Sequence, residues 1–505
     1  MVIKVILLLV FFAVMLGIGF YSRKHATDVN GFVLGGRSVG PWLTAFAYGT
    51  SYFSAVVFVG YAGQFGYKYG LASTWIGIGN AVLGSLLAWV VLGRRTRIMT
   101  KHLKSMTMPD FFGKRYGSKS LRVAASMIAF IFLIPYTASV YNGLSYLFGM
   151  AFDIDFRICV VVMAVLTGVY VIVGGYMATA LNDLIQGIIM LFGIVAVIAA
   201  VLSGHGGFLA AVKELAHVPS DVMPGAYASF FGPDPLNLLG VVILTSLGTW
   251  GLPQMIQKFY AIKDEKAVHT GTIISTLFAV VVSGGCYFLG GFSQISGVTE
   301  AADGSVAYDT IIPTMLSSLP DILIGIVIVL VLSASMSTLS SLVLTSSSTL
   351  TLDFIKPLFV KDMSEKKQLL WMRILLAFFI IISVVIALDP PAFIAQLMGI
   401  SWGALAGAFL APFLYGLYWK RVTKAAVWAS FIAGVGITVS NMFINYIASP
   451  INAGALAMIA GLIVVPVVSV ITKKPDEAIV DGIFNCLDEK VMVEQKMALP
   501  EEDEE

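Results

Sequence analysis

The sequence predicts an all-α membrane protein of about thirteen transmembrane helices, with a core of two inverted five-helix repeats. Three observations lead there. The 505 residues are 58% hydrophobic and only 12% charged. Mean hydropathy is +0.90. Apolar runs near the bilayer-crossing length of about 20 residues recur along the chain. A soluble domain carries roughly 25% charged residues, so half that fraction leaves too little polar surface to cover a water-soluble globule. Backbone groups in lipid must pair within their own segment, which selects helices over open strands.

The hydropathy pattern places spans at 2–20, 41–66, 71–92, 122–149, 157–178, 181–203, 237–257, 270–294, 320–351, 368–388, 391–418, 424–447 and 453–472. The first follows Lys4 as a secretory leader would. No small-residue cleavage site follows it and Arg23 and Lys24 come directly after, so a retained span is expected. One set of loops holds Arg23, Lys24, Arg94, Arg95, Arg97, Lys114, Lys258, Lys263, Lys366, Lys420 and other basic residues. The alternate set holds little beyond Lys68, Arg157 and Lys213. Basic loops stay cytoplasmic, which predicts an inner or plasma membrane protein with its N-terminus outside and C-terminus inside. Two outer connections, near 204–236 and 295–319, are long enough for a short helix or gate. The expected organisation is a transmembrane domain over 1–472, its repeat core at about 41–418, with extra helices 2–20, 424–447 and 453–472. A cytoplasmic acidic tail, 473–505, follows and ends Glu501-Glu-Asp-Glu-Glu505.

Several functions are excluded on composition. A net charge of +2 gives no reason to expect nucleic acid. Cys159, Cys286 and Cys486 are too widely spaced for a disulfide framework or metal cluster. The five histidines, His25, His102, His205, His217 and His269, fall in predicted loops, away from any bundle-buried haem. No phosphate-binding glycine motif ending in Lys-Ser/Thr points to an ATP-driven pump. No catalytic constellation is expected, and the chain is read as a transporter and not an enzyme.

The remaining polarity lies inside the spans. The second span carries Gly49, Thr50, Ser51 and Ser54 at its middle, a weak point in a helical ladder. The seventh reads Thr245-Ser-Leu-Gly-Thr-Trp-Gly-Leu-Pro-Gln254, where Pro253 removes a donor and clashes with the preceding turn. Breaks five spans apart are expected if spans 2–6 and 7–11 are inverted repeats, because such transporters bind ions and solutes where helices are interrupted. The ninth span carries Ser333, Ser335, Ser337, Thr338, Ser340 and Ser341. Alcohols beside freed carbonyls suit a hard cation that needs several oxygens. Interhelical hydrogen bonding is the plainer alternative. Asp183, at the start of the sixth span, is either a functional intramembrane acid or a helix cap. Asn80, Tyr136, Tyr141, Asn142, Gln254, Gln396 and Trp402 also fall within spans, as solute-path or packing residues.

Four segments carry a resemblance to the sodium–solute symporter family, nearest its bacterial pantothenate and proline permeases. They are Phe32-Val-Leu-Gly-Gly-Arg-Ser38, Gly174-Gly-Tyr-Met-Ala178 through Asp183 and Gln186, Gly251-Leu-Pro253, and Met336-Ser-Thr-Leu339. The resemblance implies co-transport of sodium with a small organic solute such as pantothenate, a monocarboxylate or an amino acid. It implies a sodium site at the carbonyls of Thr50 and Phe53 with Ala334, Ser337 and Thr338. Asp183 matches a family acid linked to sodium passage. The solute pocket would fall near Ser54, Tyr136, Thr245, Thr249 and Pro253. Tyr52 stands where proline permeases of the family carry an aspartate. Ser51-Tyr52, Leu181-Asn-Asp183 and the stretch from Tyr260 to His269 look similar to the pantothenate branch, and Tyr176 departs mildly from the family pattern. Partners are then sodium, the solute and the bilayer, with one copy expected to suffice and no oligomeric state indicated. Proton coupling, a channel and a membrane sensor are the alternative functions.

Overall fold

A computed structural model describes residues 2–152, 154–297 and 306–487. Among these residues the chain is helical with no strand, and one isolated parallel bridge joins Val39 to Ile262. The main helices are α1 (Val2–Ser22), α2 (Pro41–Tyr52), α3 (Lys119–Phe152), α4 (Phe156–Gly204), α5 (Pro235–Leu247) and α6 (Pro253–Ala261). They continue with α7 (Glu265–Gly290), α8 (Asp321–Thr349), α9 (Glu365–Leu388), α10 (Ile394–Tyr418), α11 (Lys424–Ile444), α12 (Pro450–Ile471) and α13 (Glu477–Phe484).

Starts are written locally. Asp155, Asp234, Asp264, Thr423 and Ser449 each accept a backbone N–H near the first turn of the helix that follows. Proline sits at the first helical positions of α2, α5, α6 and α12, where its missing N–H is not needed.

Among the described residues ten helices are long and apolar enough to cross a bilayer, or eleven counting one bent pair. The expected count of thirteen is therefore not what length and composition yield. Two of the ten, Val56–His102 and Phe156–Gly204, are 47 and 49 residues long. At 1.5 Å per residue each measures roughly 70 Å, over twice the hydrocarbon thickness of about 30 Å. Each carries a positive-φ glycine: Gly70 lies at the expected junction of two spans, and Gly175 lies a few residues before one. The expected loop at 179–180 is absent: the backbone turns at Gly175 (φ 56, ψ −148) and helix runs on through Asp183. A Cβ at Gly175 would meet the Phe32 ring at 2.8 Å, so only glycine closes this corner.

Burial separates core from rim. The apolar stretch of α10 is 89% buried and that of the Asp321–Leu358 segment 78%, whereas α1 is 22% buried and faces outward. The segment α8 packs on α4 and α3, and α10 on α12, α11 and α3. Glycine sets the closest approach, because a Cβ on Gly66 would lie 1.8 Å from the Gly290 carbonyl oxygen. The long connections carry Phe208–Ala216 and Ile311–Ser317, while 298–305 lies outside the described residues. Two expected loop histidines are helical, His102 closing Arg94–His102 and His269 within α7. Past α12, α13 buries Val480, Ile483 and Phe484 against the bundle, so this part of the tail is docked and not wholly solvated. The expected acidic end lies beyond the described residues.

Candidate functional site

Both anticipated breaks are present. At the first, α2 stops at Tyr52, inside the expected polar patch of residues 49–54. Phe53 leaves helical geometry (φ −104, ψ 107), and Val56–Tyr61 resumes as a π-helical stretch. In the second, α5 gives way to a short turn at Gly248–Trp250. Leu252 is extended (φ −87, ψ 120), and α6 starts at Pro253 after a bend of 41°. Gly248 and Gly251 let this turn lie on α10: a Cβ at Gly248 would meet Trp402 at 2.7 Å, and one at Gly251 would meet Ala406 at the same distance.

The first break meets the alcohols of α8. Ser337 Oγ donates toward the Thr50 carbonyl at 3.1 Å, with the carbonyls of Ser333 and Ala334 at 2.9 and 3.0 Å. Thr338 Oγ1 reaches the carbonyls of Thr50 and Ser51 at 3.3 Å and that of Ala334 at 3.1 Å. Every one of these residues is buried. Thr50, Ala334, Ser337 and Thr338, expected together, are together. Ser51 joins them through its carbonyl, which the sequence reading missed. Phe53 is adjacent, with Ser54 and Ala334 beside it on one small cavity. Two alcohols converging on carbonyls of a broken helix supply several neutral oxygens in a dry place, the donor set for a small hard cation.

Beside this cradle stands an aromatic group. The Tyr52 ring stacks on Phe53 (centroids 4.3 Å) and Trp402 (5.8 Å), and its hydroxyl donates to the Thr245 carbonyl. Tyr136 meets Trp402 edge-on at 5.8 Å. Thr249 Oγ1 donates toward the Gly84 carbonyl at 3.1 Å, which also accepts from the Tyr48 hydroxyl at 2.8 Å. The hydroxyls of Tyr61, Tyr136 and Tyr287 and the Trp402 indole N–H are buried without a hydrogen-bond partner. Orphaned polar atoms are costly unless something fills the space between them, and a small polar solute would. Of the expected residues, Tyr136, Thr245 and Thr249 take part in these contacts, Ser54 lines the small cavity beside Phe53, and Pro253 is buried at the start of α6. Tyr52, Tyr61 and Tyr287 belong with them; Tyr52 was marked by the family resemblance alone, and Tyr61 and Tyr287 carried no sequence signal beyond lying in apolar runs.

Asp183 makes none of these contacts. It is fully buried within α4, so it is no helix cap. Its Oδ2 is 3.7 Å from Lys258 Nζ. The loop assignment of Lys258 is corrected: this residue sits in α6, 2% exposed. Tertiary packing holds it there, because Nζ donates to Ser341 Oγ at 3.0 Å on a helix 83 residues onward.

At the basic end of the bundle, Arg122 ties Asp353 (2.8 Å) to Asp110 (3.2 Å), and Thr107 donates to Asp353. At the opposite end a polar cavity of about 730 Å³ opens among Gln64, Lys68, Asp234, Tyr308 and Gln396.

Broken helices in a buried bundle, with a cation-type donor set and orphaned polar atoms beside it, are the site architecture of a secondary transporter. The sodium:solute symporter family model matches residues 32–434, and the chain belongs to this family. The chain is 30% identical over 483 residues to the osmoregulated proline transporter OpuE of Bacillus subtilis (strain 168), covering 93% of this chain and 95% of the relative. It is 30% identical over 494 residues to the sodium/proline symporter of Staphylococcus aureus (strain JH9), covering 93% of each. Its fold is similar to that of a sodium-coupled sialic acid symporter solved in a substrate-bound outward-open state. That match has a TM-score of 0.76 and 17% identity, covering 94% of this chain and 98% of the other. The chain is therefore a multi-pass membrane transporter with an inverted-repeat core. It moves a small solute together with sodium, and sodium is the co-transported ion.

Proposed function

We propose that sodium binds at the first break, held by the carbonyls of Thr50 and Phe53 and by Ala334, Ser337 and Thr338, with Asp183 deeper along its route. The observation that carries this reading is the convergence of the Ser337 and Thr338 alcohols on the carbonyls of Thr50 and Ser51. The solute occupies the neighbouring region bordered by Ser54, Tyr136, Thr245, Thr249 and Pro253. It is a small organic carboxylate. Proline is the first candidate, because the proline transporters above are relatives over nearly the whole chain. Tyr52 reshapes the wall with a stacked ring, so larger carboxylates, pantothenate among them, are the next candidates.

The basic loops support a cytoplasmic C-terminus and an outside N-terminus, with the polar cavity at Lys68 and Asp234 facing out. The functional unit is one chain, with a transmembrane domain over 1–472 and a cytoplasmic tail over 473–505. Sodium entering from outside orders the break, the solute binds beside it, and the two repeats rock to release both inside. Moving one charge through 100 mV releases about 2.3 kcal/mol, and a tenfold sodium gradient adds about 1.4 kcal/mol. Together these support accumulation of several hundredfold, on the order of 10²–10³, per sodium.

The test is uptake of labelled proline and pantothenate into proteoliposomes under an imposed sodium gradient, with potassium or proton gradients as controls. Concentrative uptake with sodium alone, lost in Thr338→Ala, is expected. Uptake that stays strictly downhill, or that follows the proton gradient without sodium, overturns the reading.

A further inference from the structure

The ammonium group of Lys258 stands inside the membrane-spanning core. Its Nζ is 3.7 Å from Asp183 Oδ2, donates to Ser341 Oγ at 3.0 Å and lies 5.2 Å from the centre of the Tyr176 ring. Lys258 is 2% exposed and Asp183 fully buried. Ser341 Oγ is 2.7 Å from Ser51 Oγ, and the Ser51 carbonyl accepts from Thr338 Oγ1 at 3.3 Å. One serine pair thus connects the ammonium to the oxygens of the proposed sodium cradle. Neither Asp183 oxygen makes a hydrogen bond, since 3.7 Å is an ion-pair distance and too long for one. The side-chain amide of Asn182, Gln186 Oε1 and the Tyr176 hydroxyl, all on α4, are also buried without partners.

A buried carboxylate and a buried alcohol that both face one ammonium, with further unsatisfied polar atoms on the same helix as the carboxylate, are a ligand set for a monovalent cation. Here the cation nearest to it is a side chain of the same protein. Ammonium and sodium carry the same charge and seek the same oxygens, so a sodium ion passing Asp183 competes with the ammonium and does not come to rest there beside it. Lys258 comes from α6, the half-helix that begins at the second break. Its reach to Asp183 is therefore set by the same bend that shapes the solute side.

We propose that Lys258 is a tethered cation filling a second cation site formed by Asp183, Ser341 and Ser51, and that it restricts this chain to one bound sodium. The proposal rests on the reading of the Thr338 cradle as the first sodium site. Removing the ammonium leaves a buried carboxylate uncompensated, a state too costly to persist without a replacement cation or proton. The replacement drawn from a sodium buffer at neutral pH is sodium.

The experiment is equilibrium binding of a sodium isotope to the purified full-length protein, with no solute present. The wild type binds one sodium per chain, and Thr338→Val weakens that site about 5- to 12-fold. Lys258→Met binds two, with a Hill coefficient above one, and Lys258→Arg retains one. Should Lys258→Met fold poorly, Lys258→Gln gives the same reading. The double variant Asp183→Asn/Lys258→Met, which removes both charges, returns to one. A single sodium in both Lys258→Met and Lys258→Gln, including the case where Asp183 takes up a proton, overturns the proposal. Two sodium ions in the wild type overturn it as well. Wild-type binding indifferent to Thr338→Val overturns the first-site reading instead, whatever the Lys258 variants do.

Discussion

Thr338→Val is the sharpest probe of the cradle. Valine keeps the shape of threonine and removes only the hydroxyl. That hydroxyl reaches three carbonyls, Ala334 at 3.1 Å and Thr50 and Ser51 at 3.3 Å, and Ser337 duplicates the contacts to Thr50 and Ala334 but not to Ser51. Without sodium the loss is one ordinary buried hydrogen bond, about 0.5–1.5 kcal/mol. With sodium the same oxygen turns its lone pairs to the ion, and an interaction with a charged group is worth about 1.5–3 kcal/mol. The difference, about 1–1.5 kcal/mol, predicts sodium affinity weakened roughly 5- to 12-fold, with only a small drop in melting temperature of the sodium-free protein. Sodium-isotope binding titrated across concentration measures it, with Thr338→Ser, which restores the alcohol, close to wild type. A Thr338→Val affinity within about threefold of wild type refutes the reasoning, since ~0.6 kcal/mol is too little for a lost ion ligand.

Other outcomes follow from the same geometry. Arg122→Gln leaves Asp353 buried without its cation and should destabilise the protein by about 3–5 kcal/mol, read as a lower melting temperature and partly rescued by adding Asp353→Asn. Gly66→Ala puts a methyl group 1.8 Å from the Gly290 carbonyl oxygen, so size-exclusion chromatography of the solubilised variant should show little monodisperse protein. Asp309 lies in the connection before α8, where burial pushes its carboxyl up to about 6 against the opposing hydrogen bond from the Ile394 amide. A carboxyl raised in the folded state stabilises the fold below about pH 4 and loses that contribution as pH rises through about 6. The wild type should therefore melt higher at pH 5 than at pH 7.5, and Asp309→Asn should flatten that slope.

Much of this molecule was written in short stretches of chain. Hydropathy reports burial in lipid residue by residue, so the helical class, most span positions and both breaks could be read from local composition. Glycine and proline act on their own backbone, which is why Gly248, Gly251 and Pro253 announced the second break. Gly49 to Ser54 announced the first as a region, because polar side chains do not mark the peptide at which helical geometry ends. Span counting was less secure, since a bent helix such as Phe156–Gly204 keeps its apolar character through the corner at Gly175.

What the chain could not disclose is which groups meet. Ser51 carries its contribution on a backbone carbonyl, and no side-chain pattern reveals a carbonyl that has lost its helical partner. Tyr61 and Tyr287 read as ordinary apolar-run aromatics until packing left their hydroxyls unpaired. Lys258 is the clearest case. Near the end of a span a lysine is expected to extend toward water, and only the fold, by setting Asp183 and Ser341 against α6, makes a buried position for its charge affordable. Local sequence settled where the backbone is apolar and where it breaks, because those are properties of a few consecutive residues. Tertiary structure decided which oxygens face which cations, because that depends on distances between helices far apart in the chain.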